Sequence, residues 1–63
     1  MPERLAEKYR NGDRVLVYFA VEDRWLAGRV VARDHPGVWV QIADGSLWFV
    51  THPHRIRKAG ADG

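Results

Sequence analysis

The chain has 63 residues, no cysteine, and ten Lys and Arg against eight Asp and Glu, which gives a formal net charge of +2. This length makes one small domain, which buries only about 60% of the surface that its unfolded chain exposes. Without cysteine, disulfides and thiolate zinc sites are excluded. The charged N-terminus does not read as a signal peptide, and no apolar run approaches the roughly 20 residues that span a bilayer. We therefore expect a cytoplasmic protein with no membrane partner.

Residues 1–11 are expected to form an N-terminal arm or a short helix. Pro2 suits the first helical position, and Leu5 and Tyr9 lie one helical turn apart on the same side. A helix of about nine residues is not stable alone in water, so it forms only if that side docks on the rest of the domain. Fraying of this segment is the alternative, which the sequence leaves open.

The first predicted strand, residues 14–21, is apolar on both faces. Val15, Val17 and Phe19 alternate with Leu16 and Tyr18. A strand in a single curled sheet needs only one apolar face. The second face therefore needs a cover, which is the N-terminal helix, a ligand or another copy of the chain.

The second predicted strand begins at Arg24 and contains Gly28 in the run RWLAGRVVAR. A missing Cβ permits a sharp bend, by which one long strand serves both halves of a small barrel. The sequence His35-Pro36-Gly37 then predicts a chain reversal after Asp34, because proline fixes φ near the value a turn needs and glycine adopts φ values that other residues avoid.

Asp44-Gly45, between the apolar runs VWVQIA and SLWFV, predicts a hairpin with a two-residue turn. Residues 52–55 then predict a single 3₁₀ turn, and Ile56 to Lys58 predict a short last strand that pairs with the first. Residues 59–63 are expected to be a disordered tail. The alternation along these strands predicts a core of seven side chains. They are Val15, Val17, Val30, Val38, Val40, Ile42 and Val50.

These elements predict an all-β fold, a five-stranded SH3-like barrel over residues 12–58. The runs GDRVLVYF, RWLAGRVV, VWVQIADGSLWFV and HRI resemble the Tudor domains, whose pattern is a Gly-Asp strand start, an aromatic ending that strand, a Gly in the second strand and an acidic-Gly hairpin. The resemblance spans residues 12–57 and implies a Tudor-like barrel. Tudor domains that read methylated lysine or arginine use an aromatic cage. On this chain the cage positions fall on Phe19, on Trp25 or Leu26, on Ile42 and on Trp48.

Two further small barrels resemble parts of the chain. The KOW modules of transcription and ribosomal proteins are similar at Gly12, Asp13, Val15 and Val17, but their glycine-rich turn is replaced here by residues 21–23. The SH3-like reductase of resistance plasmids has a Val-Gln-Ile-Tyr stretch, which Val40 to Ala43 match in three letters. The alternatives kept open beside a protein-interaction module are a nucleic-acid-binding barrel and, behind it, a methyl-lysine or methyl-arginine reader or an oligomeric reductase.

Catalytic and metal-binding patterns are weak in this sequence. His52, Pro53 and His54 form a turn that points the two imidazoles apart, and no carboxylate lies near them in sequence. Ser46, the single serine, sits in a predicted hairpin turn, where hydrogen bonding to the backbone is its usual role. We therefore expect no metal site, no cofactor and no enzymatic activity.

Three binding surfaces are predicted instead. The aromatic and apolar residues left over from the core predict a protein-interaction face, occupied by a protein partner or by another copy. This face comprises Leu16, Tyr18, Trp39 and Phe49. An aromatic pocket is expected from Phe19, Trp25 and Trp48. The basic residues near the two chain ends predict a nucleic-acid edge. They are Lys8, Arg10, Arg14, Arg55, Arg57 and Lys58.

The resulting functional hypothesis is a non-catalytic protein-interaction module. A nucleic-acid-binding barrel is the alternative, because the basic ends flank a middle in which residues 11–51 carry four basic and five acidic groups.

Overall fold

The protein was analysed as a computed structural model that describes residues 5–59. The elements are a short helix and five strands, with a 3₁₀ turn before the last strand. They are α1 (Leu5–Lys8), β1 (Arg14–Phe19), β2 (Arg24–Asp34), β3 (Gly37–Ile42), β4 (Leu47–Val50), the 3₁₀ turn (Pro53–Arg55) and β5 (Ile56–Lys58). The predicted helix start at Pro2 lies outside the described residues, as does the predicted tail apart from Ala59. The Ala59 N–H donates to the Arg14 carbonyl oxygen at 3.0 Å.

The five strands form one antiparallel sheet in the order β4-β3-β2-β1-β5. The predicted pairing of the last strand with the first is confirmed, since Val17 lies opposite Ile56 and Leu16 opposite Arg57. The end strands β4 and β5 are the edges of this sheet, and no pairing between them closes it within residues 5–59. The fold is therefore mostly β, with one five-stranded sheet and a short helix.

Strand β2 is long enough to serve two neighbours in succession. Residues 24–29 pair with β1, and residues 28–34 pair with β3. At Gly28, where the sequence predicted a bend, a Cβ would lie 2.7 Å from Cγ1 of Val40, so the glycine allows β2 to pack closely on β3. The register shift itself lies between Val30 and Ala32. The extra residue, Val31, is left 40% exposed.

One face of the sheet carries the core, and all seven core residues predicted from the alternation are buried. Three further side chains complete it: Leu5, Tyr9 and Ile56. Leu26 and Trp48 pack against this group and stay partly exposed. We call the face that carries this core the inner face of the sheet, and the opposite one the outer face.

Helix α1 forms because Leu5 and Tyr9 enter the core, being 6% and 1% exposed. The helix packs against β3, and the Tyr9 N–H donates to the Leu5 carbonyl oxygen at 3.2 Å. The docked helix, rather than a frayed arm, is therefore found. The helix packs on the inner face with the core, so it does not cover Leu16 and Tyr18 on the outer face.

Two turns differ from the sequence-based expectation. Strand β1 ends at Phe19 rather than at Val21, which is 86% exposed in the turn to β2. In the β3–β4 hairpin the Gly45 N–H donates to the Ile42 carbonyl at 2.8 Å, and the Ile42 N–H donates to the Ser46 carbonyl at 2.9 Å. Gly45 alone in this turn has positive φ, at 95°. The hairpin therefore has the three-residue form, a turn followed by a glycine bulge, and the two-residue turn expected at Asp44-Gly45 is wrong.

Within residues 5–59, no helix combines the length and the apolar character that a bilayer crossing requires.

Candidate binding surfaces

The outer face of β5, β1 and β2 brings together three arginines and two aromatic rings. Strand alternation and register place Arg14 and Tyr18 of β1 on this face with Trp25 and Arg29 of β2, and Arg57 of β5 lies beside them. We refer to these five residues as the arginine face. The three arginine side chains are exposed, and the two rings are half-buried.

Arg14 and Arg29 are directly opposite each other in the β1–β2 ladder. Directly opposed residues on one face bring their Cβ atoms within about 4.5–5.5 Å, and like charges in that position are destabilising. The ion pairs within residues 5–59 join Arg24 to Glu22 at 2.7 Å and Lys58 to Asp13 at 3.7 Å, so neither member of this pair is neutralised there. The fold thus sets two unneutralised arginines at directly opposed positions of the ladder.

The second half of the arginine face is aromatic. The Arg57 guanidinium carbon lies 4.2 Å from the centre of the Trp25 ring, a cation–π contact. The Tyr18 and Trp25 rings lie 5.5 Å apart and are tilted by 56°. Leu16 and Ala27 separate this half from the Arg14–Arg29 pair. Four residues of strand, about 13 Å, therefore join an aromatic platform to a cationic pair.

The turn from β1 to β2 fixes one end of the platform. The Tyr18 hydroxyl donates a short hydrogen bond to the Asp23 carboxylate, and Asp23 adopts a positive φ of 51°. This hydrogen bond raises the pKa of Tyr18, and the nearby charge of Arg55 acts in the opposite direction. Tyr18 is therefore a neutral, oriented ring at physiological pH.

A shallow groove of about 710 Å³ lies over β2 beside the arginine pair. Its lining includes Arg14, Arg29 and Gln41, together with the small residues Ala27 and Gly28 and the apolar Val15 and Ile42. The polar part of this lining offers two guanidinium groups and an amide. The groove suits an anionic group that accepts hydrogen bonds.

The remaining cations of the predicted edge do not join the arginine face. The Nζ atoms of Lys8 and Lys58 lie 5.7 Å and 5.9 Å from the Tyr9 ring centre. Lys58 also pairs with Asp13, whose carboxylate accepts the Arg10 backbone N–H at 3.0 Å. Arg55 lines a different part of the surface, the cleft at the end of β1. The predicted basic edge is thus divided, and Lys58 is partly neutralised.

A cleft of about 520 Å³ opens between the end of β1 and strand β4. Phe19 and Trp48 meet in it, with ring centres 5.2 Å apart and a tilt of 54°. Trp25, the third residue of the predicted pocket, packs instead against Tyr18 on the outer face. The structure therefore brings together two of the three pocket residues. Of the other cage positions, Leu26 packs against the core and Ile42 is 6% exposed.

The four residues of the predicted protein-interaction face separate into two groups. Tyr18 belongs to the arginine face and Leu16 lies beside it on the outer face of β1. Trp39 and Phe49 contact each other on the outer face of β3 and β4, at 4.9 Å between ring centres. Trp25 and Ala32, which lie opposite Tyr18 and Trp39, are separated by about 23 Å of β2. One continuous patch of all four is not formed.

Sequence reasoning missed two residues of these surfaces. Arg29 belongs to the arginine face, and Leu47 is 56% exposed beside the Trp39–Phe49 pair. The signal for Arg29 was the register in which Gly28 lies opposite Val15, because that register sets Arg29 against Arg14.

No group of three or more His, Cys, Asp or Glu side chains with metal-binding geometry occurs in the described part of the chain. Comparison with protein-family models found no family that matches, and comparisons with the curated proteins and with the solved structures found no significant match.

Proposed function

We propose that this chain is a non-catalytic binding module of the SH3-like, Tudor-like barrel type, and that its ligand is single-stranded nucleic acid bound on the arginine face. The barrel assignment is supported by the order β4-β3-β2-β1-β5, by the long β2 shared between β1 and β3, and by the 3₁₀ turn that precedes β5.

The observation that carries the ligand assignment is the unneutralised Arg14–Arg29 pair beside the Trp25 platform. Proteins that bind single strands combine cations that follow the phosphates with aromatic rings on which bases stack. A flat base stacks on the platform that Trp25 and the Arg57 guanidinium form, while guanidinium groups contact the phosphates on either side. Repulsion between opposed arginines costs stability in the free protein, and a bound phosphate removes that cost.

The arginine face favours nucleic acid over a protein partner because its apolar residues are interleaved with cations. Leu16 and Tyr18 were expected to belong to an apolar protein-interaction face, but each has an arginine or Trp25 as its neighbour. A methyl-cation cage is not proposed. Trp25 packs against Tyr18 outside the cleft, and Phe19 and Trp48 alone remain in it.

The test is a titration by fluorescence anisotropy of labelled oligo(dT) and oligo(U) of about 12 nucleotides, with a duplex of the same length, at about 50 and 200 mM salt. We expect both single strands to bind more tightly than the duplex, with affinity that falls steeply with salt. The triple variant Arg14→Ala, Arg29→Ala, Arg57→Ala should lose most of the affinity and reduce the salt slope by roughly 2, for three lost phosphate contacts.

A matched control has the same change in net charge. It is Lys8→Ala, Arg10→Ala, Lys58→Ala, which removes Lys8 and Lys58 beside Tyr9 and the neighbouring Arg10, and it should retain most of the affinity. Equal losses in the two triple variants would mean that net charge, and not the arginine face, sets the binding. Absence of binding at low salt would refute the proposal.

A protein-interaction module remains the second candidate, on one specific observation. Leu47 and Phe49 are 56% and 40% exposed on the edge strand β4, next to Trp39.

A further inference from the structure

The edge strand β4 has free backbone groups whose direction follows from its pairing with β3. In an antiparallel ladder, hydrogen-bonded and non-hydrogen-bonded pairs alternate. The Ile42 N–H donates to the Ser46 carbonyl, which makes Ile42–Ser46 a hydrogen-bonded pair and Gln41–Leu47 a non-bonded one. The same alternation makes Trp39–Phe49 non-bonded. The N–H and C=O groups of Leu47 and Phe49 therefore point away from β3, toward the open edge.

The side chains on this edge are apolar and uncharged. The segment 46–51 reads SLWFVT, without the lysine, proline or inward charge by which natural proteins protect exposed edges. Leu47 and Phe49 lie on the outer face, and the Phe49 ring contacts Trp39 at 4.9 Å. Edge backbone groups and apolar side chains are thus exposed on the same strand.

From this geometry we propose that β4 pairs antiparallel with β4 of a second copy of the chain, around a two-fold axis at Trp48. This register sets Leu47 opposite the partner's Phe49, and Phe49 opposite the partner's Leu47. Both residues point their backbone groups to the edge, so the two pairs are hydrogen-bonded and four new N–H···O bonds form. The inference is independent of the proposed nucleic-acid function, because the arginine face lies on other strands.

The side chains fit this arrangement. On the outer face each Trp39–Phe49 pair gains the partner's Leu47, so that six apolar residues become one cluster across the axis. The Trp39–Phe49 pair at the edge of each copy thereby becomes part of a buried interface. A two-fold contact of this kind uses the same patch on both chains.

The charges at the two ends of β4 are also complementary. The antiparallel register sets Asp44, in the turn before β4, opposite the partner's His52, which follows β4. Arg55 lies in the 3₁₀ turn that comes next and lines the same cleft as His52 and the residues of β4. An acidic residue before β4 and a basic residue after it favour pairing with an inverted copy, which is why we commit to a second copy as the occupant.

The test compares the sedimentation velocity of three proteins from about 10 µM to 1 mM, a range that detects weak dimers of this kind. We expect the wild-type chain to reach twice its 7.2 kDa mass within this range. Phe49→Lys places a charge in the interface and should remain a monomer at concentrations where at least half of the wild type is dimeric. Val31→Lys is the matched control, since Val31 is also 40% exposed and the added charge is the same. It should dimerise as the wild type does.

A cooperative thermal transition of Phe49→Lys shows that the loss of dimer is not a loss of fold. If that variant does not fold, Leu47→Lys, on a residue that is 56% exposed, takes its place. In a mixture of labelled and unlabelled wild-type chains, filtered NMR spectra should show contacts between Leu47 and the partner's Phe49. A strict monomer at 1 mM would overturn the proposal and leave a strand of another protein as the occupant of β4. A dimer unaffected by both lysine variants would overturn it as well.

Discussion

Gly37 and Val50 are in backbone contact where β3 begins and β4 ends. A Cβ placed on Gly37 would overlap the carbonyl oxygen of Val50 and would lie 3.0 Å from Cγ2 of Thr51. Gly37 is itself buried, and it directly follows the turn at His35 and Pro36. The absence of a side chain at this position therefore allows the β2–β3 turn to close against the end of β4.

The first prediction is that Gly37→Ala destabilises the domain by about 1–3 kcal/mol, because the added methyl group meets backbone and cannot be relieved by a rotamer change. The measurement is urea unfolding followed by circular dichroism. Gly45→Asn is the control: nothing lies within 4 Å of a Cβ at Gly45, so only the strain of its positive φ opposes the side chain, and asparagine accepts positive φ more readily than most residues. We expect the control to lose less stability than Gly37→Ala. A Gly37→Ala protein as stable as the control would show that β4 can move away freely.

The second prediction concerns alkaline pH. Burial, with a smaller contribution from the charge of Asp13, raises the pKa of Tyr9 above its ordinary value of 10.0. The folded state therefore holds the phenolic proton more tightly than the unfolded state. This contribution to stability is complete below the unfolded pKa and is lost as the pH rises through the folded one. The thermal midpoint should fall above about pH 10.

The control for this prediction is Tyr9→Phe, which keeps the ring and removes the titrating hydroxyl. The hydroxyl lies 3.5 Å from the Ile56 carbonyl oxygen, a long contact, so we expect this variant to fold. Its midpoint should fall less above pH 10 than that of the wild type. Tyr18→Phe removes the other tyrosine with a raised pKa and separates its effect. Parallel pH profiles for the wild type and Tyr9→Phe would contradict the prediction.

The sequence predicted the strands well because one face of each is strictly apolar. Val15, Val17, Val38 and Val40 alternate with residues of the outer face, and a one-residue register error would expose all of them. The turns were harder. The Asp44 side chain accepts the Ser46 N–H at 2.9 Å and also the Ser46 hydroxyl, and this local bonding accompanies the longer hairpin loop. No pattern of apolar residues reports such contacts.

The binding surfaces were less predictable, because they depend on which strands are neighbours and over how many residues those strands pair. Arg14 and Arg57 were recognised as basic, but Arg29 lay in a stretch whose charges nearly cancel. Only the β1–β2 register sets Arg29 opposite Arg14. In the same way, Tyr18 and Trp39 belong to one face by alternation, and the length of β2 separates them.

The last prediction tests the core register. Val40 is 0% exposed and lies between Val30 on β2 and Trp48 on β4. Val40→Asp buries a carboxylate, at a cost of several kcal/mol, against the roughly 3–9 kcal/mol of stability expected for 63 residues. We expect this variant to lose its cooperative thermal transition and the dispersion of its amide NMR spectrum. Gln41→Asp, one residue further and exposed on the opposite face, should keep both. An unshifted melting curve for Val40→Asp would show that β3 presents its other face to the core.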